Sequence, residues 1–427
     1  MPVAAPVSRS PMPILVAALV FLFPVVAMLI PHGPTSIFAI LILAGVATLR
    51  RQDIHLSYTE KAVLIGFGLI FVAAALSLIN AHDLSNSVSK IERYSFFVFI
   101  VPVYLLLRKY NDYIVWAFLL GLALSAVLIG LTAFWEVEIG DQLRASGIRH
   151  PIMFGSFAAL VSILLLLGAV LFSKKWWQYA LWLGPLIFAT YATIESGTRN
   201  AMLALPITLT ALLFLARGQV NAKGWIAVIS LALLTGGSAV LFTDRIVSGF
   251  EKGIVEVQSY VEGDTQSSTS WGLRLNMWRN SLEVLKKHPV IGTGIGDYQI
   301  EMERLIESGF SHSADSVLYL HEAHSIYFHA LAVSGSLGFL ALVSGVVVVP
   351  LWVFLLSWKN AKAKNNAIQK FVSLAGVATI ASFAVFGVGT AWQEKSTFLV
   401  IYLVFTTVLL AHACHPHSSG KRARAEI

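Results

Sequence analysis

Apolar runs of bilayer-spanning length recur from end to end of this chain, and no other feature limits its fold so strongly. A hydrocarbon core of ~30 Å is crossed by about 20 residues of α-helix, and within it every backbone N–H and C=O needs a partner in its own segment. Runs that meet or approach this length fall at 13–30, 36–49, 62–79, 94–107, 113–134, 152–172, 176–194, 200–216, 224–242, 334–357, 371–391 and 397–413. The second and fourth are short, so they are expected to extend into flanking polar residues or to tilt. The expected fold is all-α: a polytopic membrane protein of about twelve transmembrane helices with one large, mainly helical periplasmic loop. Composition agrees, since 57% of residues are hydrophobic and only 12% charged, against ~25% charged in an ordinary soluble domain.

The formal net charge of +7 is spread through the connections rather than gathered on a domain, so it reads as a topology signal and not as a nucleic-acid footprint. Arg50, Arg51, Lys61, Arg108, Lys109, Lys174, Lys175, Arg217, Lys223, Lys359, Lys362, Lys364, Lys370 and the basic tail fall in alternate connections. By the positive-inside rule these are cytoplasmic, as are both termini. The opposite connections hold most of the acids. Arg93, Arg144, Arg149 and Arg199 stand there against the rule, which marks them as candidates for function. The lone Cys414 excludes an intramolecular disulfide.

Three regions follow: helices one to nine in 1–242, a periplasmic loop in 243–323, and three further helices with a cytoplasmic tail in 324–427. Within the loop, Ile246, Phe250, Ile254, Val257 and Val261 have amphipathic spacing. Leu275, Trp278, Leu282 and Leu285 predict a second helix, stopped by Pro289 and the glycines at 292, 294 and 296. A third is expected over Tyr298 to Ser308, ending at Gly309.

Where the loop meets the next apolar run lies HEAHSIYFHALAVSGSLG, in which His324-Ser325 is followed after nine residues by Gly335 and then Gly338. An imidazole at the mouth of a membrane helix, with a reference pKa of ~6.5, takes a proton from a hydroxyl at ordinary pH. Arg199, in SGTRNA, sits in a short outer connection at the depth of phosphate groups, which guanidinium grips bidentately. Arg274 lies in GLRLNMWRN, ahead of HPVIGTGIGDYQ, with Trp278 as a packing residue one turn on. Arg144 and Arg149 lie in LRASGIRHP.

These stretches resemble the O-antigen ligase family of bacterial membrane glycosyltransferases, through the His-Ser-x9-Gly-x-x-Gly pattern, the Ser-x-x-Arg stretch at Arg199, the Arg274–Trp278 segment with its glycine-rich turn, and an Arg-Ala-x-Gly element at Arg144. The resemblance implies inverting transfer of O-antigen polysaccharide from undecaprenyl pyrophosphate to a hydroxyl of the lipid A core. The reaction is placed on the periplasmic side of the inner membrane, without cofactor or metal. His324 would be the catalytic base, Arg199 and Arg274 pyrophosphate ligands, and Arg144 and Arg149 further donor contacts; the partners are then the lipid-linked donor, the lipid A core and membrane lipid.

Other readings fit less of the chain. His321, Glu322 and His324 of HEAHS have the wrong spacing for a zinc helix, GTGIGD misses the dinucleotide spacing, and there is neither a phosphate-binding G-x-x-x-x-G-K-[ST] nor a close Asp-x-Asp pair. An O-antigen polymerase or a protein O-oligosaccharyltransferase would use the same donor. The polymerase spacing Arg-x10-Gly occurs once, from Arg144 to Gly155. A transporter or flippase of lipid-linked glycan would also show many spans, but such proteins place ionisable groups or broken helices near the midplane. Here the span centres lack charge.

Overall fold

The computed structural model describes residues 11–49, 54–110, 114–218, 254–255, 257–258, 270–311 and 321–414. Among these residues the regular elements are all helical: α1 (Met12–Val26), α2 (Gly33–Leu49), α3 (Tyr58–Ser77), α4 (Leu84–Lys109), α5 (Ile114–Phe134), α6 (Pro151–Phe172), α7 (Trp176–Glu195), α8 (Arg199–Leu215), α9 (Ser270–Lys287), α10 (Tyr298–Glu307), α11 (Ile326–Val343), α12 (Val349–Lys364), α13 (Ala367–Gly389) and α14 (Ser396–Cys414). The expected ninth span, 224–242, and most of the expected amphipathic helix over 246–261 lie outside the described residues.

Local sequence sets several of the starts. Ser57 and Glu60 form a reciprocal cap on α3, the Ser57 N–H donating to Glu60 Oε2 at 2.7 Å. Asp83 accepts from the Asn86 N–H at 2.9 Å to open α4, and Asn366 from the Gln369 N–H at 3.0 Å to open α13. Because of its cap, α4 takes in the polar stretch LSNSVSKIER that the apolar-run reading left outside. A larger difference falls at the expected run 334–357: its helix begins at Ile326, two residues after His324, and continues through a wide turn at Ser344–Val348 into α12.

α14 and α6 form the centre, with 94% and 89% of their most apolar windows buried, whereas α3 has only 39% buried. Phe405 of α14 packs edge-on against Phe118 of α5 and Phe23 of α1, with ring centroids 4.8 and 6.1 Å apart. The outer faces are apolar as well: Leu43, Ile65, Leu120, Leu181 and Phe214 are all exposed. A bundle that is hydrophobic inside and outside matches lipid, not water. The chain is a multi-pass membrane protein: six of its described helices are long and apolar enough to cross a bilayer, and α1, α2 and α8 are shorter apolar helices.

Contacts between connections sort the helix ends into two sets. At one end the buried Glu60 pairs with Arg108 at 2.8 Å and with the Tyr104 hydroxyl, and Gln369 donates to the Ala413 carbonyl at 3.1 Å. At the other, the Ala145 N–H donates to the Glu195 carbonyl at 2.9 Å, Asn80 donates to the Gly292 carbonyl at 2.8 Å, and Lys395 pairs with Glu322 at 3.1 Å. The second end carries His324 and every arginine singled out above.

Candidate functional site

The glycine spacing after His324 has a mechanical explanation. Inside α11, Gly335 sits at φ 63 and ψ −164, a conformation taken essentially only by glycine, and it breaks the helical ladder. The turn after α9 supplies the missing partners. Thr293 and Gly294 donate to the carbonyls of Ala332 and Val333 at 3.2 and 3.0 Å, and Ser336 and Leu337 donate to those of Pro289 and Val290 at 2.9 and 3.0 Å. A Cβ on Gly335 would lie 2.5 Å from the Val290 carbonyl, and one on Gly292 would lie 2.4 Å from the Ser334 nitrogen. The loop is thus seated on the kink backbone to backbone.

That seating fixes α9 over His324. Trp278 of α9 donates its indole N–H to the Ala323 carbonyl at 3.1 Å and stacks on Phe328, with centroids 4.8 Å apart and planes 9° off parallel. It therefore holds the backbone on both sides of His324, as its packing role predicts. Arg274, one turn earlier, lies over the Trp271 ring at 5.8 Å.

His324 itself has φ 48, the left-handed region, which turns the chain sharply before Ser325 starts α11. Its Nδ1 is 3.6 Å from Oε1 of the buried Glu322, whose Oε2 pairs with Lys395 at 3.1 Å. Burial pushes the His324 pKa below its ordinary value. Glu322 opposes the shift, while Arg274, Lys395 and His150 add to it. That direction favours the neutral ring, the form a proton acceptor needs.

On the facing side, the loop after α5 is wound around Glu136, whose Oε2 accepts the N–H groups of Ser146 and Gly147 at 2.7 and 3.0 Å. Arg144 extends from that loop to the turn ahead of α8, its Nε donating to the Ser196 carbonyl at 2.7 Å and its Nη2 to Thr198 Oγ1 at 3.4 Å. A Cβ on Gly155 would lie 2.0 Å from Ser196 Oγ, so Arg144 and Gly155 grip the same turn from two sides. This is what their spacing secures, and the turn leads directly into Arg199 at the start of α8. Burial lowers the Arg144 pKa and the nearby Arg199 charge lowers it further. Arg149 has Nε and Nη2 buried without a hydrogen-bond partner among the described residues. His150, depressed by burial and then by the charges of Arg144 and Lys395, joins this side to His324.

A carboxylate hub underlies the site. Glu394, in the short turn before α14, accepts from Arg93 Nη1 at 2.6 Å and from the Tyr94 hydroxyl at 3.0 Å, and lies 3.4 Å from Nε2 of the fully buried His329. Burial would raise its pKa, but His329 and the positive charges of Lys90 and Arg93 hold it down at about 2. Arg93 is therefore tied up in bracing α4 against α11 and α14. His329 is fully buried against Glu394 and is structural.

Charge acts from Arg199 on Arg144, from Arg144 on His150, and from both His150 and Arg274 on His324. Sequence reasoning missed Glu322 as a partner of His324, and missed His150, Lys395 and Glu394 entirely. Lys395 had a usable signal. It is a lysine in a short connection on the acid-rich side, the same departure from the charge rule that singled out the arginines.

Fold and site together describe a membrane-embedded helical bundle with an imidazole and several guanidinium groups at one end. The family model for O-antigen ligase matches residues 184–343, which include Arg199, Arg274, His324 and Gly335 but not Arg144, His150 or Lys395. That match supports membership of the O-antigen ligase family. The chain is also similar to an uncharacterized protein of Haemophilus influenzae, 24% identical over 376 residues that cover 85% of this chain and 90% of that protein.

Proposed function

We propose that this chain is an O-antigen ligase, an inverting glycosyltransferase that moves O-antigen polysaccharide from undecaprenyl pyrophosphate to a hydroxyl of the lipid A core. The observation that carries the reading is a neutral-tending imidazole, seated on a strained backbone and flanked by Arg274, Lys395 and His150. Basic residues collect at the opposite end of the bundle, in Arg108, Lys109, Lys174 and Lys175, which supports a periplasmic site, cytoplasmic termini and about twelve spans in the inner membrane.

In the reaction, the acceptor hydroxyl attacks the anomeric carbon from the face opposite the pyrophosphate. The new C–O bond forms as the bond to the phosphate oxygen breaks, and the anomeric configuration inverts. Glu322 lies beside Nδ1 and favours the tautomer protonated there, so Nε2 takes the hydroxyl proton. Glu322 acts through His324 and is a positioning residue. Arg199 and Arg274, with Arg149 as a further donor contact, neutralise the charge that grows on the departing pyrophosphate. Arg144 spends two nitrogens on the turn that carries Arg199, so it mainly positions that residue.

The test is purified protein reconstituted with lipid-linked glycan and, in separate arms, lipid A core, a second lipid-linked glycan and a protein acceptor, each with and without chelator. Transfer to the lipid A core alone, unaffected by chelator, is the expected result. Elongation of the second glycan instead would make the protein a polymerase, and movement of donor across the bilayer without transfer would make it a flippase.

A further inference from the structure

A second set of chemistry-bearing side chains lies apart from His324, where the α3–α4 turn docks on the loop. The docking is built from backbone groups. The N–H groups of His82 and Asp83 donate to the two carboxylate oxygens of Asp297 at 2.6 and 3.1 Å, Asn86 donates to the Gly296 carbonyl at 2.7 Å, and the Gly296 N–H donates to Ser87 Oγ at 3.0 Å. This fixes His82 beside His288, the residue after α9, and Glu301 on α10. One ligand atom from each lies within 4.8 Å of the others.

Two imidazoles and a carboxylate are the donor set of borderline divalent ions such as zinc, unlike the all-oxygen sets that hold magnesium or calcium. Donors bound at the usual lengths of about 2.0–2.2 Å stand roughly 3.3 Å apart around a tetrahedral ion, so modest side-chain rotations close the set. The Glu301 carboxylate is almost wholly buried and is oriented by Thr293 Oγ1 at 3.4 Å and Arg304 Nη1 at 2.6 Å, the kind of outer partners that ligating carboxylates have. The Arg304 side chain is 43% exposed, so it is free to turn toward water when an ion takes over the neutralising role. The His82 side chain is likewise 43% exposed, which leaves water an approach to a fourth position.

We propose that His82, His288 and Glu301 form a binding site for one divalent transition-metal ion of the zinc class, which clasps the α3–α4 turn to the segment running from α9 through α10. The site makes no use of the reaction assigned to His324, and it stands or falls independently of it.

The experiment uses the full chain in detergent, stripped with chelator and titrated with cobalt(II), followed by visible absorption and then by displacement with zinc. The C-terminal stretch also contains His412, Cys414, His415 and His417, so the reading is the difference between wild type and variants. His82→Ala keeps the backbone N–H that binds Asp297 and should preserve the docking. His82→Ala and His288→Ala should each lose one ion equivalent, or weaken it at least ~10-fold. In the wild type alone, zinc should slow amide exchange over 80–87 and 292–301. Equal stoichiometry and affinity in the wild type and both variants, or no binding by the wild type, would overturn the proposal.

Discussion

Replacing Gly335 by Ala tests the link between the glycine pattern and the site. The new Cβ would meet the backbone of Val290 at 2.5 Å and of Gly292 at 2.6 Å, and no flexible side chain is there to yield. Holding a non-glycine residue at φ 63 and ψ −164 costs about 1–3 kcal/mol. Relieving the clash means parting the two backbones and giving up the four hydrogen bonds between 289–294 and 332–337, at about 1 kcal/mol each. Together these weaken the docking by roughly 5 kcal/mol, which corresponds to a rise of about a thousandfold or more in local opening. Hydrogen exchange followed by mass spectrometry, on protein in detergent, should show that rise at 293, 294, 336 and 337 while α6 and α14 stay protected. Transfer activity should fall with it, because α9 carries both Arg274 and Trp278. Gly68→Ala is the control, since its added Cβ meets nothing within 4 Å. Exchange and activity in Gly335→Ala matching that control would refute the reasoning.

Other expectations concern charge. The base form of His324 is needed and its pKa is lowered, so the acid limb of the rate profile should lie below ~6.5. Glu322→Gln removes the one influence that raises that pKa and should move the limb to lower pH. Lys395→Met removes a cation and frees Glu322, and should move it to higher pH; the kinetic pH profile reads both. Arg199→Lys and Arg274→Lys should each cut transfer at least ~10-fold through loss of a charge-assisted bond of about 1.5–3 kcal/mol, seen in kcat/KM for the donor. Glu394→Gln leaves Arg93 and His329 without their carboxylate and should cost about 3–5 kcal/mol of stability. Because the folded pKa of Glu394 is depressed to about 2, its contribution should be present above the unfolded carboxylate pKa of ~4.3 and fade as pH falls toward 2, a trend thermal melts can follow.

The helices were legible because lipid demands long apolar runs, and the described residues hold helices over eleven of the twelve expected runs. The ends were less legible. Capping at Asp83 draws a polar stretch into α4, and the backbone pairing at Gly335 allows α11 to start eight residues earlier than hydropathy indicates. Trp278 as packing, and a helix over 298–307 ending before Gly309, could be read from spacing. Glu322, Lys395, His150 and the Glu394 hub could not be assembled from sequence, because their partners lie as far as 301 residues apart along the chain. Only the fold, which packs α14 on α4 and brings Arg93 and Tyr94 of α4 and His329 of α11 to Glu394, gathers that hub in one place.

The most direct measurement compares wild type with His324→Ala in the reconstituted transfer of lipid-linked glycan to the lipid A core. The account predicts a correctly folded, donor-binding variant whose transfer rate falls by ~10²–10⁴, the range a general base supplies, with the donor left unconsumed. Transfer at the wild-type rate by His324→Ala would contradict it.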